Sequence, residues 1–137
     1  MNRNEGGCLC GNARYRFEGE PVMVGVCHCR HCQKQSGAPF SVVAGVAEGA
    51  FSLIGATTTF LDQGDSGSTV ERIFCPSCGS PLVSKIGAMP GMVFVKAGTL
   101  DDPTALVPAF EVYCDRRWPF LPDLASEQYS LAAGAST

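Results

Sequence analysis

Short runs of alternating or apolar residues, separated by turn residues, dominate the hydrophobic pattern of the chain. In residues 13–17, Tyr15 and Phe17 lie on one face of an extended backbone while Arg14 and Arg16 lie on the other, which is typical of a half-buried strand. Further strands are predicted at residues 40–46, 51–54, 57–61, 69–74, 82–86, 92–95 and 109–114. Many short strands at regular spacing predict an all-β domain of short antiparallel strands.

The segments between these runs carry turn signals. Residues 82–86 and 92–95 are expected to form a hairpin around Gly87–Gly91, and residues 63–68 (QGDSGS) a polar loop. Residues 28–38 do not alternate, and they predict a turn with one helical turn that ends at Gly37. We expect one domain over residues 1–124 and a flexible tail over residues 125–137, which are small and polar.

Composition and charge narrow the function classes. The 137 residues are 45% hydrophobic and 17% charged, which is enough apolar material for one core. The net charge of -3 disfavours nucleic acid as a partner. The first residues show no signal-peptide pattern, and no stretch approaches the ~20 apolar residues of a membrane span. We therefore expect a cytoplasmic protein without a membrane partner, whose cysteines are reduced and hold metal.

Seven of the eight cysteines fall into three clusters with the spacing of zinc ligands, at residues 8–10, 27–32 and 75–78. Glycines flank the first cluster and permit the sharp bend that it needs, and Pro76 and Gly79 shape the last as a zinc knuckle. A plausible closed structural site therefore combines four thiolates, although spacing alone leaves other groupings open: Cys8, Cys10, Cys75 and Cys78.

The remaining thiolates, those of Cys27, Cys29 and Cys32, would leave one position of a tetrahedral zinc free. Three thiolates on Zn²⁺ give a net charge of -1, so the ion is a weak Lewis acid and a poor hydrolase centre. Such an ion is suited to taking up a substrate thiol, because coordination deprotonates the thiol. The hypothesis is that a small-molecule thiol is the fourth ligand.

Three motifs resemble, in the same order, those of the glutathione-dependent formaldehyde-activating enzyme family, which includes centromere protein V-like domains. They are GGCLCGNARY at residues 6–15, CHCRHCQKQSGAPF at residues 27–40 and FCPSCGSPL at residues 74–82, and the resemblance covers roughly residues 5–120. It implies a small zinc-stapled β-tent with two zinc ions. The structural zinc would take Cys8, Cys10, Cys75 and Cys78, and the second, labile zinc would take Cys27, Cys29 and Cys32.

The family reaction implied by this resemblance is the addition of glutathione to formaldehyde, and it is classed with carbon–sulfur lyases. One departure is Phe110, which stands near a position where relatives often carry a histidine. Arg30 lies inside the middle motif and is the cation most expected to contact a substrate carboxylate. Other candidates for that contact are Lys34, Arg72, Arg116 and Arg117, of which we expect Lys34 and Arg117 to be ordinary surface charges.

Other residues near the motifs have both a chemical and a structural interpretation. His28 and His31 are expected to lie beside the metal rather than bind it. Trp118 and Phe120 fit a core role better than a pocket lining. Cys114 could be a redox nucleophile, as in the related methionine sulfoxide reductases, but its alternation with Phe110 and Val112 favours a buried small hydrophobe.

Three function classes remain. The first, to which we commit, is a zinc-dependent carbon–sulfur lyase acting on a glutathione-like thiol and an aldehyde. The second is a zinc-stabilised binding module without catalysis, which recognises a protein or nucleic acid. In a related alternative the middle cluster is purely structural and is closed by a histidine or water. The third is thiol redox chemistry through Cys114.

Overall fold

The computed structural model describes residues 3–132, and it confirms an all-β fold, with one short α-helix in that part of the chain. Helix α1 spans Arg30–Ser36, between the third and fourth strands, and Gly37 ends it as predicted. The strands are β1 Arg3–Gly7, β2 Arg14–Glu18, β3 Met23–Cys27, β4 Ser41–Ala47, β5 Phe51–Ile54, β6 Thr58–Gln63, β7 Thr69–Phe74, β8 Pro81–Ile86, β9 Met92–Lys96, β10 Phe110–Val112 and β11 Glu127–Gln128. No helix among these residues is long and apolar enough to cross a membrane.

The strands form a three-stranded sheet in the order β1-β2-β5 and an eight-stranded sheet in the order β11-β10-β3-β4-β9-β8-β7-β6. The predicted hairpin is present as β8 and β9, which pair antiparallel. Most neighbouring strands pair antiparallel, as expected, and the exception is β10, which pairs parallel with both β3 and β11. Parallel neighbours need a long crossover, and most of the chain lies between β3 and β10.

The apolar core lies between the two sheets. Strand β2 contributes Tyr15 and Phe17, which are buried as the alternation predicts, while Arg16 is exposed. The large sheet contributes the buried side chains of β4, β8 and β9. The cluster comprises Cys8, Ala13, Tyr15, Phe17, Ala44, Val46, Cys75, Leu82, Val83, Val93, Val95 and Leu100.

The opposite face of the large sheet carries a buried row of polar side chains. Arg72 of β7 lies opposite Ser84 of β8, and Ser84 lies opposite Phe94 of β9. Side chains two residues apart share a face, so Lys96 belongs to the same row as Phe94. On the neighbouring strand β4, Val43 lies opposite Lys96, and Ser41 shares a face with Val43. Ser41 in turn lies opposite Cys27 of β3. The row therefore ends beside the middle cysteine motif.

The segment around β10 departs from the predicted pattern. The strand ends at Val112 because Tyr113 adopts a left-handed backbone with φ of 55°, so Cys114 does not continue the alternation. The buried residue of β10 is Glu111, while Phe110 and Val112 are only half-buried. Phe110 packs over Gly25 of β3, where an added Cβ would lie 2.6 Å from its ring.

The predicted tail contains a strand that the sequence did not indicate. Glu127–Gln128 form β11 beside β10, and the backbone N–H of Tyr129 donates to the carbonyl of Glu111 at 2.9 Å. Glu127–Gln128 are therefore part of the large sheet's edge, and further backbone hydrogen bonds join residues 129–131 to residues 111–115. The remainder of the predicted tail, residues 133–137, lies outside the described residues.

Candidate metal–thiolate centres

Two loops bring together four cysteines, which we call the four-cysteine cluster: Cys8, Cys10, Cys75 and Cys78. The first pair lies in the loop from β1 to β2, and the second in the turn from β7 to β8, so the cluster links the two sheets. Its four Sγ atoms lie within 4.8 Å of one another. The Sγ atom of Cys10 lies 3.5 Å from that of Cys8 and 3.7 Å from that of Cys75. Four thiolates at ~2.3 Å from one zinc have an S···S separation of about 3.8 Å, so the spacing fits a closed tetrahedral ion.

The loops of the four-cysteine cluster are shaped to present donors to sulfur. Backbone N–H groups donate to Cys8 Sγ and to Cys75 Sγ, each at 3.3 Å. The Ser80 hydroxyl lies 3.2 Å from Cys78 Sγ, and its hydrogen bond lowers the pKa of Cys78 to about 5. Gly79 has φ of 79°, in the left-handed region that a turn of this kind requires. These contacts stabilise thiolates, the form that binds a metal.

The second group, which we call the three-cysteine cluster, consists of Cys27, Cys29 and Cys32. Cys27 ends β3, Cys29 caps helix α1 by accepting a hydrogen bond from the N–H of Cys32 at 3.3 Å, and Cys32 lies in the first helical turn. Their Sγ atoms also lie within 4.8 Å of one another, and within the described residues the group contains no fourth metal-binding side chain. Cys29 and Cys32 are buried and Cys27 is half-buried. The donor set therefore fits a tetrahedral zinc with one position left for another ligand.

Two buried cations lie near the three-cysteine cluster. Hydrogen bonds from Cys27 and Cys29 are the main reason that the pKa of Cys32 is lowered, and the charges of Lys96 and Arg72 lower it further. Arg72 also donates from Nε to Asp62 Oδ2 at 2.9 Å. Sequence reasoning considered Arg72 only as a substrate clamp and missed Lys96. The available signal was a lysine at the end of the otherwise apolar strand β9, MVFVK.

His28 and Glu111 fix the loop that carries the three cysteines. His28 is fully buried and lies 2.8 Å through Nε2 from Glu111 Oε1. A carboxylate only accepts hydrogen bonds, so Nε2 donates. The backbone N–H of His28 donates to the carbonyl of Val112 at 3.1 Å. His28 is thus held between Cys27 and Cys29 by β10.

His31 lies on the other side of helix α1. It is 2.8 Å through Nδ1 from Asp62 Oδ2 and 3.2 Å through Nε2 from Asp65 Oδ1, so it connects the helix to β6 and the loop after it. Both ring nitrogens are engaged by carboxylates. His31 therefore has no free nitrogen for a metal in this arrangement.

A cavity of about 400 Å³ lies between helix α1 and strands β6 and β7. It is bounded by the cations Arg30, Lys34 and Arg72, together with His31, Gln35, Phe60 and Asp62. Arg72 also interacts electrostatically with Cys32, so it relates the cavity to the three-cysteine cluster. Lys34, expected to be an ordinary surface charge, is exposed but lines this cavity.

Arg30 and Trp118 meet at one helical side chain. Arg30 Nη1 donates to Gln33 Oε1, and Trp118 Nε1 donates to the same oxygen at 3.3 Å. The expected core role of Trp118 and Phe120 is wrong, because they are 40% and 72% exposed. The two rings pack against each other with centroids 6.1 Å apart, at the surface beside α1. Two prolines nearby and the lack of a strand between Val112 and Glu127 keep this segment out of the sheet core.

Cys114 lies in a single 3-10 turn, Cys114–Arg116, and is half-buried rather than part of the core. Burial raises its pKa, which disfavours a reactive thiolate. Its sulfur lies within 4.8 Å of ligand atoms of His28 and Glu111. The neighbouring Arg116 and Arg117 pair with Asp115 at 3.4 Å and Asp123 at 2.7 Å. Neither arginine lines the cavity beside α1.

Comparisons with known proteins concern the family and the fold. A family model described as glutathione-dependent formaldehyde-activating enzyme matches residues 3–116. The structure is similar to a crystal structure of a Rhodobacter sphaeroides protein, with a TM-score of 0.58 and 21% sequence identity over 76% of this chain and 97% of that one. This likeness supports the fold alone. Among curated proteins, none matches the chain significantly.

Proposed function

Because the chain belongs to the glutathione-dependent formaldehyde-activating enzyme family, we propose that it is a zinc-dependent carbon–sulfur lyase acting on a glutathione-like thiol and an aldehyde of the formaldehyde type. The observation that carries this proposal is the difference between the two clusters. One contains four convergent thiols and the other three. A closed site suits a structural ion, and an open site suits a substrate ligand.

In this proposal the chain holds two zinc ions. Cys8, Cys10, Cys75 and Cys78 would hold a structural ion that joins the two sheets, and Cys27, Cys29 and Cys32 would hold a labile one. Bound at the three-cysteine cluster, zinc would supply the acidity that keeps a substrate thiol deprotonated at neutral pH. The sulfur spacing of the first cluster and the cations beside the second support this assignment.

The reaction needs few groups from the protein. The thiol sulfur forms a bond to the carbonyl carbon of the aldehyde, and the thiol proton ends on the carbonyl oxygen, giving an S-hydroxymethyl adduct. No other reactant is consumed, and the reverse direction breaks the same carbon–sulfur bond. The protein therefore contributes mainly by holding the sulfur and the thiol's remaining groups in place.

The cavity beside helix α1 supplies that positioning. A glutathione-like thiol carries two carboxylates and one ammonium group. The cavity offers the cations Arg30, Lys34 and Arg72 and the carboxylate of Asp62, and Phe60 offers an apolar wall. Because Arg72 lines the cavity and interacts electrostatically with Cys32, a thiol held in the cavity would have its sulfur directed towards the three-cysteine cluster.

We place this activity in the cytoplasm and expect a small-molecule thiol rather than nucleic acid or membrane as the partner. All eight cysteines are free, which suits a compartment where thiols stay reduced. The net charge of -3 gives no general attraction for nucleic acid.

Zinc content measured by elemental analysis, with and without excess glutathione, tests the proposal. The wild-type protein should carry two zinc ions, one of which glutathione perturbs. Cys29→Ser should retain the fold by circular dichroism, lose the labile zinc and lose adduct formation. Cys114→Ser is the matched control and should keep both ions and full activity. Full activity of Cys29→Ser would refute the proposal.

A further inference from the structure

Lys96 is a buried ammonium group without an acidic partner. It is 7% exposed, and within the described residues its ammonium group makes one long hydrogen bond, from Nζ to Ser41 Oγ at 3.5 Å. Within residues 3–132, no carboxylate lies within ion-pair distance of Nζ. Burying a charge in this way is costly unless another charge compensates it. The fold therefore keeps a positive charge at a place where an apolar side chain would cost less.

The charge of Lys96 acts on the three-cysteine cluster. Lys96 lies on β9 in the polar row of the large sheet, and Ser41 lies on the adjacent strand β4, opposite Cys27 of β3. Burial lowers the pKa of Lys96 and the charge of Arg72 lowers it further, while the charges of Cys32, Cys27 and Cys29 act in the opposite direction. All three thiols are thus close enough to interact with this ammonium group electrostatically.

Arg72 is the other buried cation of the row, and unlike Lys96 it has a carboxylate partner. It pairs with Asp62 at 2.9 Å, so the two side chains together are neutral. Lys96 is then the net positive charge beside the cluster. A zinc ion with three thiolates carries a charge of -1, and a fourth thiolate brings it to -2. The positive charge of Lys96 therefore stabilises the zinc centre both with three thiolates and with four.

We propose that Lys96 is a positioning residue that stabilises the anionic zinc–thiolate centre and so sets the affinity of the three-cysteine cluster for zinc and for a fourth, anionic sulfur ligand. This inference rests on the proposed function, since it takes the cluster to hold zinc. It goes beyond that function by assigning the charge balance of the site to a residue from another strand. It also predicts that the site prefers a thiolate over a neutral ligand.

Three variants separate charge from packing. Lys96→Met keeps the length of the side chain and removes the charge, and Lys96→Arg keeps the charge. Lys85→Met removes a lysine of the neighbouring strand β8, which pairs with Glu48 at the surface, and is the matched control. If Lys96 acted only through its aliphatic stem, methionine would replace it without loss.

The first measurement is zinc affinity by competition with a chelator, followed by titration of the zinc-loaded protein with 2-mercaptoethanol and, separately, imidazole. Lys96→Met should weaken zinc binding at the three-cysteine cluster on the order of tenfold, and 2-mercaptoethanol binding by a similar factor. Binding of neutral imidazole should change by less than about threefold. Lys96→Arg and Lys85→Met should behave as the wild type, and zinc at the four-cysteine cluster should be unaffected in every variant.

Two results would overturn the inference. One is zinc and thiol affinities of Lys96→Met within about twofold of the wild type, below the effect of a removed unit charge. The other is equal weakening of 2-mercaptoethanol and imidazole, which would mean a packing defect. If the wild-type protein bound neither probe, the open position of the proposed function would be refuted, and the zinc affinities would still decide the role of Lys96.

Discussion

Replacing Glu111 by glutamine should destabilise the fold by about 3 kcal/mol. Its carboxylate is fully buried, and burial alone would raise its pKa. Hydrogen bonds from His28, Gln128 and the N–H groups of Leu124 and Ala125 outweigh burial and lower the pKa from 4.5 to about 2. The difference between these two pKa values corresponds to about 3 kcal/mol of stability in the ionised state.

A glutamine at this position would accept fewer hydrogen bonds, and its amide N–H group would face the N–H donors that now bind the carboxylate. Oε2 of Glu111 accepts from Leu124 N at 2.7 Å, Ala125 N at 3.1 Å and Gln128 Nε2 at 3.0 Å, while Oε1 faces His28. An amide nitrogen in either position meets one of these donors. The expected cost agrees in size with that of removing one partner from a buried charged pair.

Urea unfolding of zinc-saturated protein, followed by circular dichroism, measures the difference in the free energy of unfolding between the wild type and Glu111→Gln. Lowering a carboxyl pKa on folding gives stability that is complete above the unfolded pKa and is lost as the pH falls through the folded one. Both values lie below pH 5, so the difference should stay near 3 kcal/mol from pH 5 to pH 8. Any loss of metal at lower pH affects both proteins and largely cancels in the difference.

The matched control is Glu71→Gln, which changes an exposed carboxylate on β7 and should alter the free energy of unfolding by less than about 0.5 kcal/mol. A difference below about 1 kcal/mol for Glu111→Gln would refute the assignment of Glu111 as a buried, ionised acceptor. A difference that shrinks between pH 8 and pH 5 would contradict the lowered pKa.

Two further predictions concern substrate binding and the turn of the four-cysteine cluster. Arg30→Met should raise KM for glutathione several-fold and leave KM for 2-mercaptoethanol unchanged, because 2-mercaptoethanol has no carboxylate. The control is Arg16→Met, which changes an exposed residue of β2. Equal effects of Arg30→Met on both thiols would contradict a carboxylate contact. Gly79→Ala should lower the free energy of urea unfolding by about 1 kcal/mol, because φ is 79° at this residue, although nothing lies within 4 Å of the added Cβ. Gly98→Ala has equal space and no positive φ, so it should be nearly neutral. Equal losses of stability in the two variants would contradict the backbone explanation.

Local patterns predicted most of the strands because each reflects burial on one face. Tyr15 and Phe17 were assigned to the core from alternation alone, and Gly37 was identified as the end of the helix from its residue type. The tight spacing of the cysteines likewise indicated the three clusters, although spacing alone left open which clusters share an ion. These features depend on neighbours in sequence, and such neighbours are visible in a single chain.

The errors occur where distant parts of the chain determine burial. Alternation placed Phe110 and Cys114 on the inner face of β10, but four hydrogen-bond donors from His28 and residues 124–128 make Glu111 the buried residue. Lys96 was overlooked because its environment comes from β4 and from the loop after β3. Trp118 was assigned to the core from its size, whereas its segment never enters a sheet.

The parallel pairing of β10 with β3 has a consequence for biosynthesis. All seven clustered cysteines have been translated once Cys78 is added, but Glu111, which fixes His28 between two of them, is added later. The four-cysteine cluster takes its ligands from residues 8–78 alone, so a growing chain contains all four of these cysteines before β10, which supports the three-cysteine loop, has been synthesised. The three-cysteine loop therefore remains an unsupported set of thiols until the last strands emerge, and this interval is when it is most open to oxidation or to the wrong metal.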